Sequence, residues 1–269
     1  MEPISNALVV GCSYANGHGL PDGKNNKLIW PNQLLDKLKC KKVNNISTSG
    51  WNNESIFHAT VDEISVNNYD IVLVEWSAIP RYNIDVGLEC YNTKTMLSTN
   101  HDITINNKTF SYKKLQKIRD SLLELHNDHW AILRLVQYVN ILIKLQVNLN
   151  KKNIFFINGI GPWSQDYFQK KNWSFPSELD NYTKFLLSSY TRDDHEIASI
   201  YNKIHSDYAA AGGIQETHWL NLYNSLDSMR IDEVSKADSH PGLKSQDLFA
   251  NYLWTVLKNK CSGSSQSTV

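Results

Sequence analysis

Cysteine is scarce. Cys12, Cys40, Cys90 and Cys261 are scattered through 269 residues and form no CxxC pair. Four are too few for a disulfide framework in a chain this long, so reduced thiols in a cytoplasmic setting are expected. Charge of one sign is missing as well. Lys+Arg and Asp+Glu are 27 each, a balance that gives no support for a nucleic-acid or anionic-membrane partner held by bulk charge. No apolar run approaches the length of a bilayer span. The opening residues, Met1 to Asn6, carry no basic segment, and the apolar run after them covers only Ala7 to Val10, so no signal peptide is expected. What is present is ordinary for a soluble globular chain: 41% hydrophobic and 20% charged residues, and length enough for one large α/β domain.

Short apolar runs alternate with helical patterns. Ala7 to Val10, closed by Gly11, suits a buried parallel strand. Lys42 to Ser47, Tyr69 to Val74, Asn153 to Ile157 and Trp219 to Leu222 complete five candidate strands. Helices are expected over Pro31 to Lys39, Glu54 to Val66, Glu196 to Ala211 and Leu243 to Leu257. Lys113 to Leu149 is helical in pattern and should break near His126-Asn127-Asp128, because Asn and Asp favour caps over helix interiors. Asp102 to Phe110 reads as a hairpin around Asn106-Asn107. Alternating strands and helices predict a mostly parallel sheet covered on both faces. In such sheets functional residues gather beyond the carboxyl ends of the strands.

Two segments there carry chemistry. After the first strand comes Gly11-Cys12-Ser13-Tyr14-Ala15-Asn16-Gly17. A serine on a strand-to-helix turn can present its hydroxyl above the sheet, with backbone N–H groups near an oxyanion; a plain Gly/Ser turn is the alternative. Near the other end is Lys236-Ala237-Asp238-Ser239-His240-Pro241-Gly242. In an extended loop, residues two apart project to one side, so Asp238 can reach Nδ1 of His240 and leave Nε2 to take a proton from a serine. Pro241-Gly242 should keep this loop out of regular structure. The alternative is a surface turn with an ordinary histidine.

Together the two segments resemble the SGNH/GDSL hydrolases, whose first block holds a nucleophilic serine after strand one and whose last block has the form Asp-x-x-His or Asp-x-His-Pro. The absence of Gly-x-Ser-x-Gly argues against the ordinary α/β-hydrolase class. The resemblance implies a three-layer α/β/α sandwich with a five-stranded, flavodoxin-like parallel sheet. It assigns Ser13 as nucleophile, His240 as base and Asp238 as the residue that orients it. Ser47 to Ile56 resembles the family's second block, in which a glycine N–H faces the oxyanion; Gly50 is the matching residue, with the N–H of Ser13 as its partner. The third block departs from the pattern. Glu75-Trp76-Ser77 stands where the family has Gly-x-Asn-Asp, and no asparagine is there. Asn53 is the first candidate for the missing amide donor, with the side chains of Ser77 and Asn158 behind it. A branch of the superfamily shares Gly-Cys-Ser in the first block and a Trp-…-Arg segment in the third.

The resemblance implies ester hydrolysis through an acyl-serine, on a small-molecule or glycan ester, with carbohydrate O-acetyl groups as the first substrate class to try. No metal or organic cofactor is expected. Trp51, Trp76, Ser77 and Arg81 are candidate substrate contacts; Arg81 either orients a polar substrate group or pairs with a surface acid. Trp30 and Trp163 also fall near the active-edge loops, although core packing accounts for most tryptophans. His18 either lines the pocket or belongs to a flexible Gly17-His18-Gly19 turn. His126 and His129 have a metal-sharing spacing but no third ligand nearby. One domain is expected over residues 1–261, with an insertion at about 82–149 and a disordered tail at 262–269. Two rivals remain: an SGNH-fold glycan-binding module with weak or no catalysis, and a flavodoxin-like phosphate binder using Gly11 to Gly19.

Overall fold

The computed structural model describes residues 4–77, 102–105, 108–113, 117, 128–149, 153–160, 218–221 and 225–263. Expectations for residues 78–101 and 161–217, including Arg81, Cys90, Trp163 and the helix over Glu196 to Ala211, lie outside them. So do those for His126 and residues 264–269.

Three strands covered on both faces make up most of the sheet. β1 (Asn6–Val10), β3 (Ile71–Trp76) and β6 (Asn153–Asn158) are buried almost throughout, as apolar strands covered on both faces must be. β2 (Lys42–Asn45) is polar and partly exposed, which suits an edge. All four pair in parallel in the order β2-β1-β3-β6. A fifth position beside β6 holds a single parallel bridge, Phe156 to Trp219, where the sequence predicts a short strand. Leu220 N–H donates to Phe156 O at 2.9 Å there. The described sheet thus has four strands rather than five, in a doubly wound order.

Successive residues of each strand point to opposite faces. Leu8, Val10, Val72, Val74, Trp76, Ile154 and Phe156 pack against α3 (Asn53–Val66) and α4 (Asp128–Asn148). Ala7, Val9, Ile71, Leu73, Phe155 and Ile157 pack against α2 (Trp30–Lys37) and the closing helix α5 (Leu243–Gly263). Helix, sheet and helix make three layers. A four-residue helix, α1 (Ser13–Asn16), follows β1 directly.

Local chemistry sets the helix starts. Asn52 caps α3 by accepting from Ser55 N–H at 2.8 Å, and Pro31 sits in the first turn of α2. α4 begins at Asp128, where the Asn-Asp pair predicts a break. α5 runs on to Gly263, so Ser262 and Gly263 belong to a helix and not to a disordered tail. β4 (Ile103–Ile105) and β5 (Lys108–Phe110) pair antiparallel as the expected hairpin. Among the described residues, no helix is long and apolar enough to cross a membrane.

A correction concerns the last block. Asp238 to His240 is not an irregular loop: β7 (Glu233–Ser235) pairs antiparallel with β8 (Asp238–Pro241). A strand keeps the alternation expected of the extended loop, so Asp238 and His240 still share a side. Pro241 does not interrupt the pairing, because it is the terminal residue of β8, where its missing N–H breaks no ladder.

Candidate active site

The carboxyl ends of β1, β2 and β3 place three loops side by side, and Thr48 N–H ties the second to the first through Gly11 O at 3.1 Å. Ser13 opens α1 and is 3% exposed. Its hydroxyl donates to Cys12 Sγ at 3.9 Å, and the Cys12 thiol donates to Glu75 Oε1 at 2.9 Å. Glu75 is fully buried in β3, between Gly11 and Gly159. A Cβ on either glycine would stand 2.7 or 2.6 Å from Glu75 atoms, so both neighbours must lack one for the carboxylate to fit.

The hairpin delivers the other half of the site. Asp238 and His240 have half-buried side chains, and His240 Nδ1 lies 2.6 Å from Asp238 Oδ1. The same oxygen accepts the His240 backbone N–H at 3.0 Å. Burial pushes the Asp238 carboxyl up, but the His240 N–H groups and the charges of His240 and His18 outweigh it, so the net shift is downward. An ionised Asp238 fixes the Nδ1–H tautomer of His240 and leaves Nε2 as the proton acceptor.

Aromatic and hydrogen-bond contacts join the hairpin to the turn that carries Ser13. The ring of Tyr14 meets His240 edge-on, with centroids 6.1 Å apart, and stacks on Phe249 of α5 at 6.4 Å. The Tyr14 hydroxyl donates to Asp227 Oδ1. Burial first, then the hydrogen bond and charge of Asp227, hold the Tyr14 phenol far above its ordinary range, so it stays protonated and keeps its proton for Asp227. Asp227 lies 3.8 Å from Arg230 Nε. Arg230 in turn donates to the carbonyl of Ser239 and sits 3.6 Å from Glu233. Residues 14 and 239, neighbours of the nucleophile candidate and of the dyad, are thus spanned by one polar chain. No local pattern marks Arg230 or Asp227 in the sequence.

His18, a pocket residue or a turn residue on sequence grounds, lies against the dyad. Its ring centroid is 4.4 Å from that of His240. The turn around it is built, with Gly17 and Gly19 at φ 68 and 77, a region that glycine enters without strain. A Cβ on Gly19 would lie 2.4 Å from Asp238 Oδ2. His18 Nδ1 contacts Ser49 Oγ at 3.0 Å, and Ser49 Oγ donates to Asn16 Oδ1 at 3.1 Å.

The oxyanion candidates stand as follows. Gly50 adopts φ 86 on the loop after β2. Among the described residues, neither its N–H nor that of Ser13 donates a hydrogen bond. Asn53 Oδ1 accepts Ser77 N–H at 2.7 Å. Ser77 is buried, and its hydroxyl has no hydrogen-bond partner among the described residues; Asn158 is buried at the end of β6. Trp51 is half-buried beside the core, but Trp76 is a core residue, 1% exposed and stacked on Phe156. Trp30 is likewise core. No hydrogen bond joins Ser13 Oγ to His240 among the described residues.

No family model matches the chain, and no curated protein matches it. Solved structures do. One is the psychrotrophic esterase EstA from Pseudoalteromonas sp., at 13% identity over 96% of this chain and 99% of that one, with a TM-score of 0.41. Another is phospholipase A1 from Streptomyces albidoflavus, at 13% identity over 96% and 99%, with a TM-score of 0.39. A member of the lipolytic protein G-D-S-L family from Veillonella parvula is similar at 9% identity over 94% and 98%, with a TM-score of 0.40.

Proposed function

We propose that the chain is a serine esterase working through an acyl-serine intermediate. The observation that carries this reading is the 2.6 Å contact of His240 Nδ1 with Asp238 Oδ1, held against the turn that bears Ser13 by the Tyr14 ring. A histidine in one tautomer, oriented by a carboxylate beside a serine, is what general-base activation of a hydroxyl requires.

In the proposed reaction Ser13 Oγ attacks the ester carbonyl carbon while His240 Nε2 takes its proton. The N–H groups of Ser13 and Gly50 and the amide of Asn53 hold the oxyanion. His240 then protonates the departing alkoxide, which leaves as the alcohol, and the acyl group stays on Ser13. Water repeats the sequence: His240 takes its proton, hydroxide adds to the acyl carbon, and the acid departs as Ser13 regains a hydrogen. The step needs Ser13 to leave Cys12 by a χ1 change between staggered wells. A short acyl ester is the substrate class, and an acylated carbohydrate is the first to try, with Trp51 as the ring beside Gly50.

A second reading rests on the bond from Ser13 to Cys12: a fold of the same kind that binds a glycan and hydrolyses little. Release of p-nitrophenol from its acetate separates the two. Turnover in the parent that falls by roughly three orders of magnitude or more in both Ser13→Ala and His240→Ala fits the esterase. A parent inactive on several short acyl esters would favour the binding module.

A further inference from the structure

The proposed base has a second imidazole against it, and a mechanism of acyl transfer uses only one. His18, Asp238 and His240 each offer one donor atom, and the three atoms lie within 4.8 Å of one another. We propose that these three side chains form an inhibitory site for a divalent d-block cation of the zinc class.

The ligand set has the right chemistry. Two imidazoles and one carboxylate suit Zn²⁺ and its neighbours, whereas Mg²⁺ and Ca²⁺ prefer all-oxygen shells. Tetrahedral zinc with bonds near 2.0–2.2 Å wants donors roughly 3.4 Å apart. Small χ rotations of three partly exposed side chains close the remaining gap, and water completes the shell.

The surroundings orient the ligands. Ser49 directs its hydroxyl proton to Asn16 Oδ1, so Ser49 Oγ accepts from His18 and places the proton on His18 Nδ1. That puts the lone pair of the neutral ring on Nε2, and an outer-shell acceptor on the other nitrogen is the usual support for a ligating histidine. Asn16 is itself held by its amide, which donates to Ser47 O at 2.8 Å. The His18 backbone N–H donates to Ser13 O at 3.0 Å, so the whole turn is anchored on the residue it would guard. Asp238 Oδ1 serves His240, and Oδ2 faces the backbone of Gly19, one residue past His18.

Either nitrogen of His240 that meets the cation stops the base. Coordination through Nε2 occupies the lone pair that accepts the serine proton. Coordination through Nδ1 displaces the proton held between His240 and Asp238. The inhibition rests on the esterase reading; the binding does not.

Zinc titration calorimetry at pH 7.5 on the full chain tests the site, with His18→Ala, His18→Gln and Asp238→Asn beside the parent. The parent should take up one Zn²⁺, and each variant should bind at least about tenfold more weakly. Co²⁺ loaded into the parent should give visible d–d bands of a nitrogen- and oxygen-ligated ion that the His18 variants lack. Ester hydrolysis, referenced to each protein's own rate in EDTA, should be inhibited by zinc in the parent at concentrations that spare the His18 variants. Equal zinc affinity in parent and variants, or no uptake by the parent, overturns the site. Hydrolysis without zinc uptake removes the site and leaves the serine mechanism. Zinc uptake that depends on His18, in a chain without hydrolysis, supports the site and removes the serine mechanism.

Discussion

Arg230 donates a hydrogen bond to the carbonyl oxygen of Ser239, the residue between Asp238 and His240. Arg230 also faces Asp227, which accepts the hydroxyl of Tyr14. The ion pairs of Arg230 are partly exposed, and such pairs contribute only about 0–1 kcal/mol to stability. In the proposed mechanism their larger effect is positional, since small displacements of a catalytic group cost far more in rate than in folding. Arg230→Ala should therefore lower kcat on an acyl ester by about tenfold or more, with KM and Tm little changed. Tyr14→Phe should act through the same acceptor. The double variant should fall short of the summed single effects, by a coupling of about 0.5 kcal/mol or more. Strict additivity would show that the chain from residue 14 to residue 239 is not a working unit.

Asn53 joins two loops in one side chain: Oδ1 receives Ser77 N–H, and N–H₂ is the proposed oxyanion donor. Asn53→Ala should reduce kcat by roughly two to three orders of magnitude, the usual loss for one oxyanion donor. Asn53→Asp keeps the acceptor for Ser77 and removes the donor. Matching rate losses in the two variants, with stability kept in the Asp variant, identify the donor as the active half. A near-parental rate in Asn53→Asp would remove Asn53 from the oxyanion hole.

Gly19 is fixed by position and by space, at φ 77 with Asp238 Oδ2 where a Cβ would go. Gly19→Ala must move either the turn or the carboxylate, and the two contacts of the carboxylate with His240 resist the second. The expected result is a stability loss of about 1–3 kcal/mol from the strained backbone and overpacking, read by urea unfolding. A fall in kcat should accompany it as Asp238 loses its aim on His240. Parental unfolding and rate together would show that the turn gives way freely.

Much of this arrangement is legible in the chain, for identifiable reasons. β1, β3 and β6 are runs of apolar residues because both faces are covered, and their shortness and polar ends mark them as strands rather than buried helices. The Asp238–His240 pair is legible without the right secondary structure, since loop and strand are both extended and both set residues two apart on one side. β7 and β8 are not legible: Glu233–Ser235 and Asp238–Pro241 lack an apolar alternation because neither strand covers a core. Trp76 reads as a substrate contact from its position at the end of a strand. Its parity with Val72 and Val74 sends it to the α3/α4 face instead, a clue the sequence did contain. The chain through Tyr14, Asp227 and Arg230 has no local trace, because a contact across 213 residues is made only by the fold.

The hairpin's own anchor makes a pH-dependent prediction. Asp232 accepts from Ser245 N–H at 2.7 Å and Lys244 N–H at 3.0 Å, at the first turn of α5. Ser245 Oγ donates to the same carboxylate and receives the backbone N–H groups of Ile231 and Asp232, each at 3.0 Å. Burial pushes the Asp232 carboxyl up. The hydrogen bonds from Ser245 and Lys244 and the Lys244 charge outweigh it, so the folded-state value lies below the ordinary one. A lowered carboxyl contributes stability that is fully present above the unfolded value near 3.9 and is lost as pH falls through the folded one. Asp232→Asn keeps one acceptor oxygen but removes the charge at the helix N-terminus, so it should be less stable than the parent by about 0.3–1 kcal/mol at pH 7. The gap should close in acid, as pH drops below about 4. Urea unfolding of both proteins from pH 7 to pH 3 measures it. A gap that stays constant across that range would mean the carboxylate charge contributes nothing, and that the anchor works through shape alone.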